Sequence, residues 1–427
     1  MIKKSFIGFL KPDLNYERIG GPLSEPRLIS TSDRIKLLLE EPYLKKDSIL
    51  IKPDDKVKTG QKLVLYKDSD KYVVSTVTGK VASLSPYIGD MGKEYTEIVI
   101  DIQEDEEFDD QFPLLSENLT LETAKDFLAK VPGKPLISAL TNPDKQIHTV
   151  VISCVDKDIM TITNLYVATS RIEALKNGIS IIKKITGISN IILAVPKDII
   201  QGYGHIDARV KPVDTCYPAG HHLNIIKNVL GVVVPEGKTC EDMGVCFFSA
   251  EAIASIGTAF DTRKIPDRKL ITLIDKNGDK KLVSAKIGTC ISDILNTFDI
   301  SIEDRDRIIF GGPMAGKAVY SKDLPVCADT DAIMVQEKAD ISLVSDYPCI
   351  NCGECIRICP ANIPVNLLVR FLEAGQYEEA AEAYDLHLCI DCGLCSYVCV
   401  SKIPVFQYIQ LGKYELSRTS TAEAINE

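Results

Sequence analysis

The 427-residue sequence has no dense block of lysine and arginine, no apolar stretch long enough to span a bilayer, no GxGxxG spacing and no low-complexity tract. Without a basic block, and with a formal net charge of −11, the chain offers no face to the phosphates of a nucleic acid. Its longest weakly charged stretch, GVCFFSAEAIASIGTAF at 244–260, carries Glu251 in its middle and falls short of a membrane span. The opening MIKKSFIGFL has two lysines and then only six largely apolar residues before Lys11, too few for a secretory signal, so the N-terminus is expected to remain uncleaved. In the absence of GxGxxG, Gly311-Gly312-Pro313 reads as a tight turn and not as a phosphate loop.

Cysteine, by contrast, is abundant. Fourteen of them in a chain without a signal point to a reducing compartment, the cytoplasm, where thiols ligate metal or do redox work. With 45% hydrophobic residues the chain has room for two to four domains. Residues 1–110 read as an N-terminal segment and a small all-β unit, whose β-branched runs break at Lys58-Thr59-Gly60 and Thr78-Gly79-Lys80. The acidic tract DIQEDEEFDDQ at 101–111 reads as a solvated linker. In 111–264, strand-like 148–155 and 190–195 alternate with a helical pattern from Val167 to Lys184 and with helices over 222–231 and 248–260, the rhythm of an α/β unit with parallel strands. In 265–338 two strands meet across Asn277-Gly278, and 339–427 holds the cysteine-rich end.

That end reads CINCGECIRIC at 349–359 and CIDCGLCSYVC at 389–399, each C-x2-C-x2-C-x3-C. Three thiolates at this interval wrap one cubane, and the fourth reaches the other, so two runs predict two 4Fe-4S clusters. Cys349, Cys352, Cys355 and Cys399 are expected on one cluster, and Cys389, Cys392, Cys395 and Cys359 on the other. Structural zinc pairs two CxxC units and has no use for the third and fourth cysteines of each run. Two short helices are expected between the runs, covering the clusters. His387 reads as a plain surface or packing histidine, and Cys154, Cys216, Cys240, Cys246, Cys290 and Cys327 as isolated small hydrophobes.

The order of these segments, with KPDDKVKTGQKL and TVTGKVASL, then FGGPMAGKAV and the double cysteine run, resembles the C component of Rnf-type electron-transport complexes over almost the whole chain. The resemblance implies a barrel-sandwich-like β unit, a Rossmann-like α/β unit, a β-grasp-like (SLBB-type) unit and a ferredoxin-like end. It also implies a membrane-peripheral position on the cytoplasmic face, from which electrons pass from NADH through a flavin to clusters and membrane subunits. At the nucleotide site the sequence departs. KVPGKPLISALTN at 130–142 keeps only Gly133 of the glycine-rich flavin loop, YPAGHHLNII at 217–226 keeps Tyr217, Pro218 and Gly220 but has His222 where an acidic residue is expected, and ISCVDKDIM at 152–160 is altered too. These stretches resemble the A component of sodium-translocating NADH:quinone reductases. The resemblance thus assigns Gly133, Tyr217 and Gly220 to a flavin or nucleotide site, while the lost glycines, which close approach of backbone to phosphate requires, weaken the case for FMN and NADH. Two functions follow: an iron–sulfur electron-transfer subunit working with a partner flavoprotein or membrane redox subunits, or a complete NADH-oxidising module feeding a soluble partner reductase.

Overall fold

The computed structural model describes residues 12–18, 23–44, 48–116, 120–345 and 347–426. The opening MIKKSFIGFL, expected to be uncleaved, lies outside them.

Strands Thr149–Ser153 and Ile191–Pro196 are buried at every position, as uninterrupted apolar runs are when helices cover both faces of a parallel sheet. Their sheet has four parallel strands in the order Arg209–Val213, Ile191–Pro196, Thr149–Ser153, Val245–Ser249. The chain adds strands in one direction from Thr149–Ser153 and then returns to its other side, which leaves a crevice at the carboxyl ends of Thr149–Ser153 and Val245–Ser249. The single helical pattern expected from Val167 to Lys184 is two helices, Thr163–Ser170 and Ile172–Thr186. Arg171 breaks them with non-helical φ −119° and ψ 35°.

The all-β unit is built on Arg34–Leu39, Gly79–Ile88 and Glu94–Ile102, whose alternating burial matches one face on a core and one in water. The acidic tract after it is fastened down, contrary to its reading as a free linker. Thr59 N–H donates to the Glu107 carbonyl at 2.9 Å, Asp109 N–H donates to the Thr59 carbonyl at 2.8 Å, and Thr78 Oγ1 donates to the Glu107 carbonyl at 2.7 Å. Its carboxylates face water while its backbone completes the unit.

The next unit is a six-stranded mixed sheet in the order Arg27–Leu28, Lys280–Lys286, Arg268–Ile274, Ala332–Gln336, Arg307–Phe310, Lys317–Val319, with helix Ile291–Thr297 on its core. Its edge strand Arg27–Leu28 comes from the N-terminal segment, which also bridges Asn15 to Cys216 in the α/β unit. That segment therefore packs on two later units. The C-terminal unit is helical, with Val365–Glu373, Tyr377–Tyr384 and the long Val405–Asn426 around a core of Leu368, Leu372, Leu386 and Ile409.

Candidate iron–sulfur centre

The two cysteine runs adopt one conformation twice. Asn351 and Asp391 (φ 57° and 56°), Gly353 and Gly393 (75° and 72°), and Asn362 and Lys402 (57° and 55°) all take the left-handed region, forty residues apart. Each run then makes a five-residue helix, Glu354–Ile358 or Leu394–Val398. Left-handed positions in such a loop turn successive backbone N–H groups inward, where they serve anionic sulfur; the Asn351 N–H already donates to Cys349 Sγ at 3.4 Å.

The helices of the two runs pack together, and this brings cysteines of different runs side by side. Cys349, Cys352, Cys355 and Cys399 line one cavity, with Asn366, Val369, Ile403 and Val405 behind them. Cys359 stands apart from that cavity and close to Cys392. Burial, with Cys359 adding to it, pushes the Cys392 thiol up to about 11. Burial, then Cys349 and Cys352, raises Cys355 to about 11, and burial, then Cys389 and Cys392, lifts Cys395 well above an ordinary thiol. Loading metal here must expel these protons, because thiolate is the ligand. Among the described residues, no three His, Cys, Asp or Glu side chains converge closely enough to hold a single ion; the first-run thiols with Cys399 ring a space instead. The donor set, thiols on inward-turned loops, fits cubane clusters.

Residues 348–403 match the family model of the 4Fe-4S dicluster domain. The chain is 25% identical over 385 residues to the C component of the ion-translocating oxidoreductase complex of Buchnera aphidicola, covering 83% of this chain and 78% of that one. It is 24% identical over 407 residues to the C component of the proton-translocating ferredoxin:NAD(+) oxidoreductase complex of Clostridium ljungdahlii, covering 90% and 88%. The chain is a relative of the C component of these complexes. An NAD+-reducing NiFe-hydrogenase structure overlaps 63% of this chain and 56% of its own at 12% identity and a TM-score of 0.43, too slight a likeness to bear on the fold.

In this relative of the C component the second run is embedded in the body. Ile390, Cys392 and Leu394 belong to the same buried cluster as Tyr16, Val151, Tyr217 and Phe247 of the α/β unit. Tyr217 Oη donates to the Cys392 carbonyl at 2.8 Å. A Cβ on Gly393 would stand 2.1 Å from the Met314 carbonyl oxygen. The loop that presents Met314 is held in turn by Asp158, which accepts N–H bonds from Met314 (3.1 Å) and Ala315 (2.8 Å). Lys413 donates to the Cys389 carbonyl at 2.8 Å and to both carboxylate oxygens of Asp391.

Of the residues assigned to a nucleotide site, Tyr217 and Gly220 both meet Tyr16, and Gly133 lies at the start of helix Ala250–Thr262. Gly220 N–H donates to Tyr16 Oη at 3.1 Å, against Val155. Gly133 (φ 84°) packs on Ala252 and Ser249 at the start of helix Ala250–Thr262. One face of the His222 ring stacks on Phe247 with centroids 4.4 Å apart, and crowding by protein, then His221 and Lys157, lowers its pKa. The crevice at the strand ends holds charges that sequence reasoning passed over. Fully buried Lys269 binds Glu251 and, at 3.0 Å, Asp331, which also meets Lys157 at 2.8 Å. His387 is exposed. Cys154, Cys240 and Cys246 are buried as expected of small hydrophobes, whereas Cys216 is exposed and Cys290 and Cys327 are half-buried. Only the repeated Gly353 and Gly393 carried a sequence signal for the loop contacts; Asp158 and Lys413 carried none.

Proposed function

We propose that this chain is an iron–sulfur electron-transfer subunit of an ion-translocating oxidoreductase complex, relaying electrons between a partner donor and membrane subunits on the cytoplasmic face. The observation that carries the proposal is the pairing of two identical cysteine loops across one helix contact, in a relative of proteins named as the C component of such complexes. Two 4Fe-4S clusters supply one-electron chemistry when bound. Cys349, Cys352, Cys355 and Cys399 hold the first, and Cys389, Cys392, Cys395 and Cys359 the second; their adjacencies support this crossed set. The protein's own part is to fix both loops by backbone hydrogen bonds and to seat the second against the α/β unit. Around the first it leaves an apolar rim of Leu343, Val344, Tyr347 and Ile350, all exposed, where a partner can approach. Among the described residues no helix is long and apolar enough to cross a membrane, so attachment falls to the partners. The preceding units are an N-terminal segment with a barrel-sandwich-like unit (1–110), a Rossmann-like unit (111–264) and a β-grasp-like unit (265–338), and 339–427 is the cluster domain.

Gly133, packed on Ala252, and His222, stacked on Phe247, support a body that does not oxidise NADH by itself. The test is anaerobic purification with iron, sulfide and flavin counted, followed by NADH and then dithionite. Eight irons per chain with bleaching by dithionite alone is the expected result; rapid bleaching by NADH with bound FMN would favour the complete NADH-oxidising module. Cys359→Ser should alter the paramagnetic signal of the cluster on 389–395 and spare the other, and an altered first cluster would break the crossed assignment.

A further inference from the structure

A cavity of about 540 Å³ has no residue of the two cysteine runs in its wall, and nothing in the electron relay uses it. Its size is that of a pocket for a small organic molecule. Three units wall it: the tip of the Gly79–Ile88 and Glu94–Ile102 hairpin, the edge strand Lys317–Val319 with the loop to Asp329, and the 130–134 loop of the α/β unit.

The walls are of two kinds. Tyr87, Tyr95 and Phe310 make an aromatic side, with the two tyrosine rings 6.0 Å apart and tilted by 53°. Four lysines also line the cavity, and Lys36, Lys134 and Lys317 are already paired. Lys134 ties the three units together through Glu40 (2.8 Å) and Asp329 (3.2 Å). Lys317 is paired with Asp90, and Lys36 with Glu97 at 3.7 Å. Lys130, on the same wall, has no carboxylate within 4.0 Å among the described residues. Burial lowers its ammonium pKa, with Glu40 opposing only in part, as expected of a partly desolvated cation short of a partner.

We infer that this three-unit cavity binds a flat, ring-containing organic anion, its ring against Tyr87, Tyr95 and Phe310 and its carboxylate on Lys130. Aromatic faces favour a flat apolar body, and a single unpaired ammonium beside them selects one negative group. Occupancy would bridge the two β units and the loop that carries Gly133, so the ligand would stiffen the junction of the body.

The test uses the whole cluster-loaded chain, calorimetry, and two probes of one shape, 2-naphthoate and its neutral analogue 2-naphthamide. One saturable site for naphthoate is expected. Lys130→Met should weaken naphthoate about tenfold and leave naphthamide nearly unchanged. Ala318→Trp, which fills the cavity from its exposed edge strand, should abolish both, with iron content confirming that each variant is folded. Absence of saturable naphthoate binding overturns the inference, as does binding that Ala318→Trp leaves intact or a naphthoate affinity that Lys130→Met leaves unchanged.

Discussion

The two cysteine runs share a backbone and differ in everything around it. In the first, Cys352 is exposed and Ile350 is 66% accessible; in the second, Cys392 and Cys395 are each 9% accessible. Local sequence therefore sets the loop, since the same left-handed positions recur forty residues apart, and the neighbours set the environment. Burial, nearby charge and hydrogen bonds to sulfur tune a cluster, so one motif used twice presents two unlike settings. The second faces the body and the first faces solvent.

The most drastic way to probe this inequality is at the paired glycines. Both have positive φ, but the Cβ of Gly353→Ala would find only the end of Arg357, 3.4 Å away, whereas that of Gly393→Ala would meet the Met314 carbonyl oxygen at 2.1 Å. Gly353→Ala should cost about 1 kcal/mol. Gly393→Ala should cost more than about 3 kcal/mol and release the second cluster, since backbone must move to admit the methyl group. Urea unfolding and iron content measure both, and equal costs would erase the distinction between the runs.

Charge gives a milder probe. Lys413 neutralises Asp391 beside the second run, and reduction adds negative charge to a cluster. Lys413→Met should therefore drive the second cluster's potential more negative, by on the order of tens of millivolts, and leave the first unchanged. Redox titration followed by electron paramagnetic resonance separates the two.

The smallest effect concerns the support beneath the second run. Burial outweighs three N–H bonds and raises the Asp158 carboxyl from its usual value near 3.8 to about 6. In that window the folded chain holds a proton the unfolded chain has released, so this contribution is complete at the acid end and is lost as pH rises through 6. Stability of the apoprotein should fall by at most about 1.4 kcal/mol per pH unit across the window from this group. Asp158→Asn should remove that component, read from urea midpoints at pH 4.5 and 6.

Much of this was legible in the sequence for identifiable reasons. The cysteine interval is a ligand geometry written directly in the chain, and the runs TVVIS and IILAV are apolar without alternation, as strands covered on both faces must be. What escaped was set by distant partners. Arg171 has no Pro or Gly beside it to announce a break, and the acidic tract reads as linker because its charges hide a backbone bonded to Thr59 and Thr78. Arg27–Leu28 is a strand only because Lys280–Lys286 lies alongside it. Lys413 meets Asp391 from a helix whose composition gives no hint of a cluster.

The seating of Ile390 and Leu394 in the α/β core bears on how electrons can travel. Swinging the cluster domain away, as a shuttle arm would, returns those side chains to water at roughly 1.5–3 kcal/mol each and strands the Tyr217 hydroxyl. The second cysteine loop is thus a stationary socket. Contact with a redox partner then has to come from the partner's own movement toward the exposed loop around Cys352.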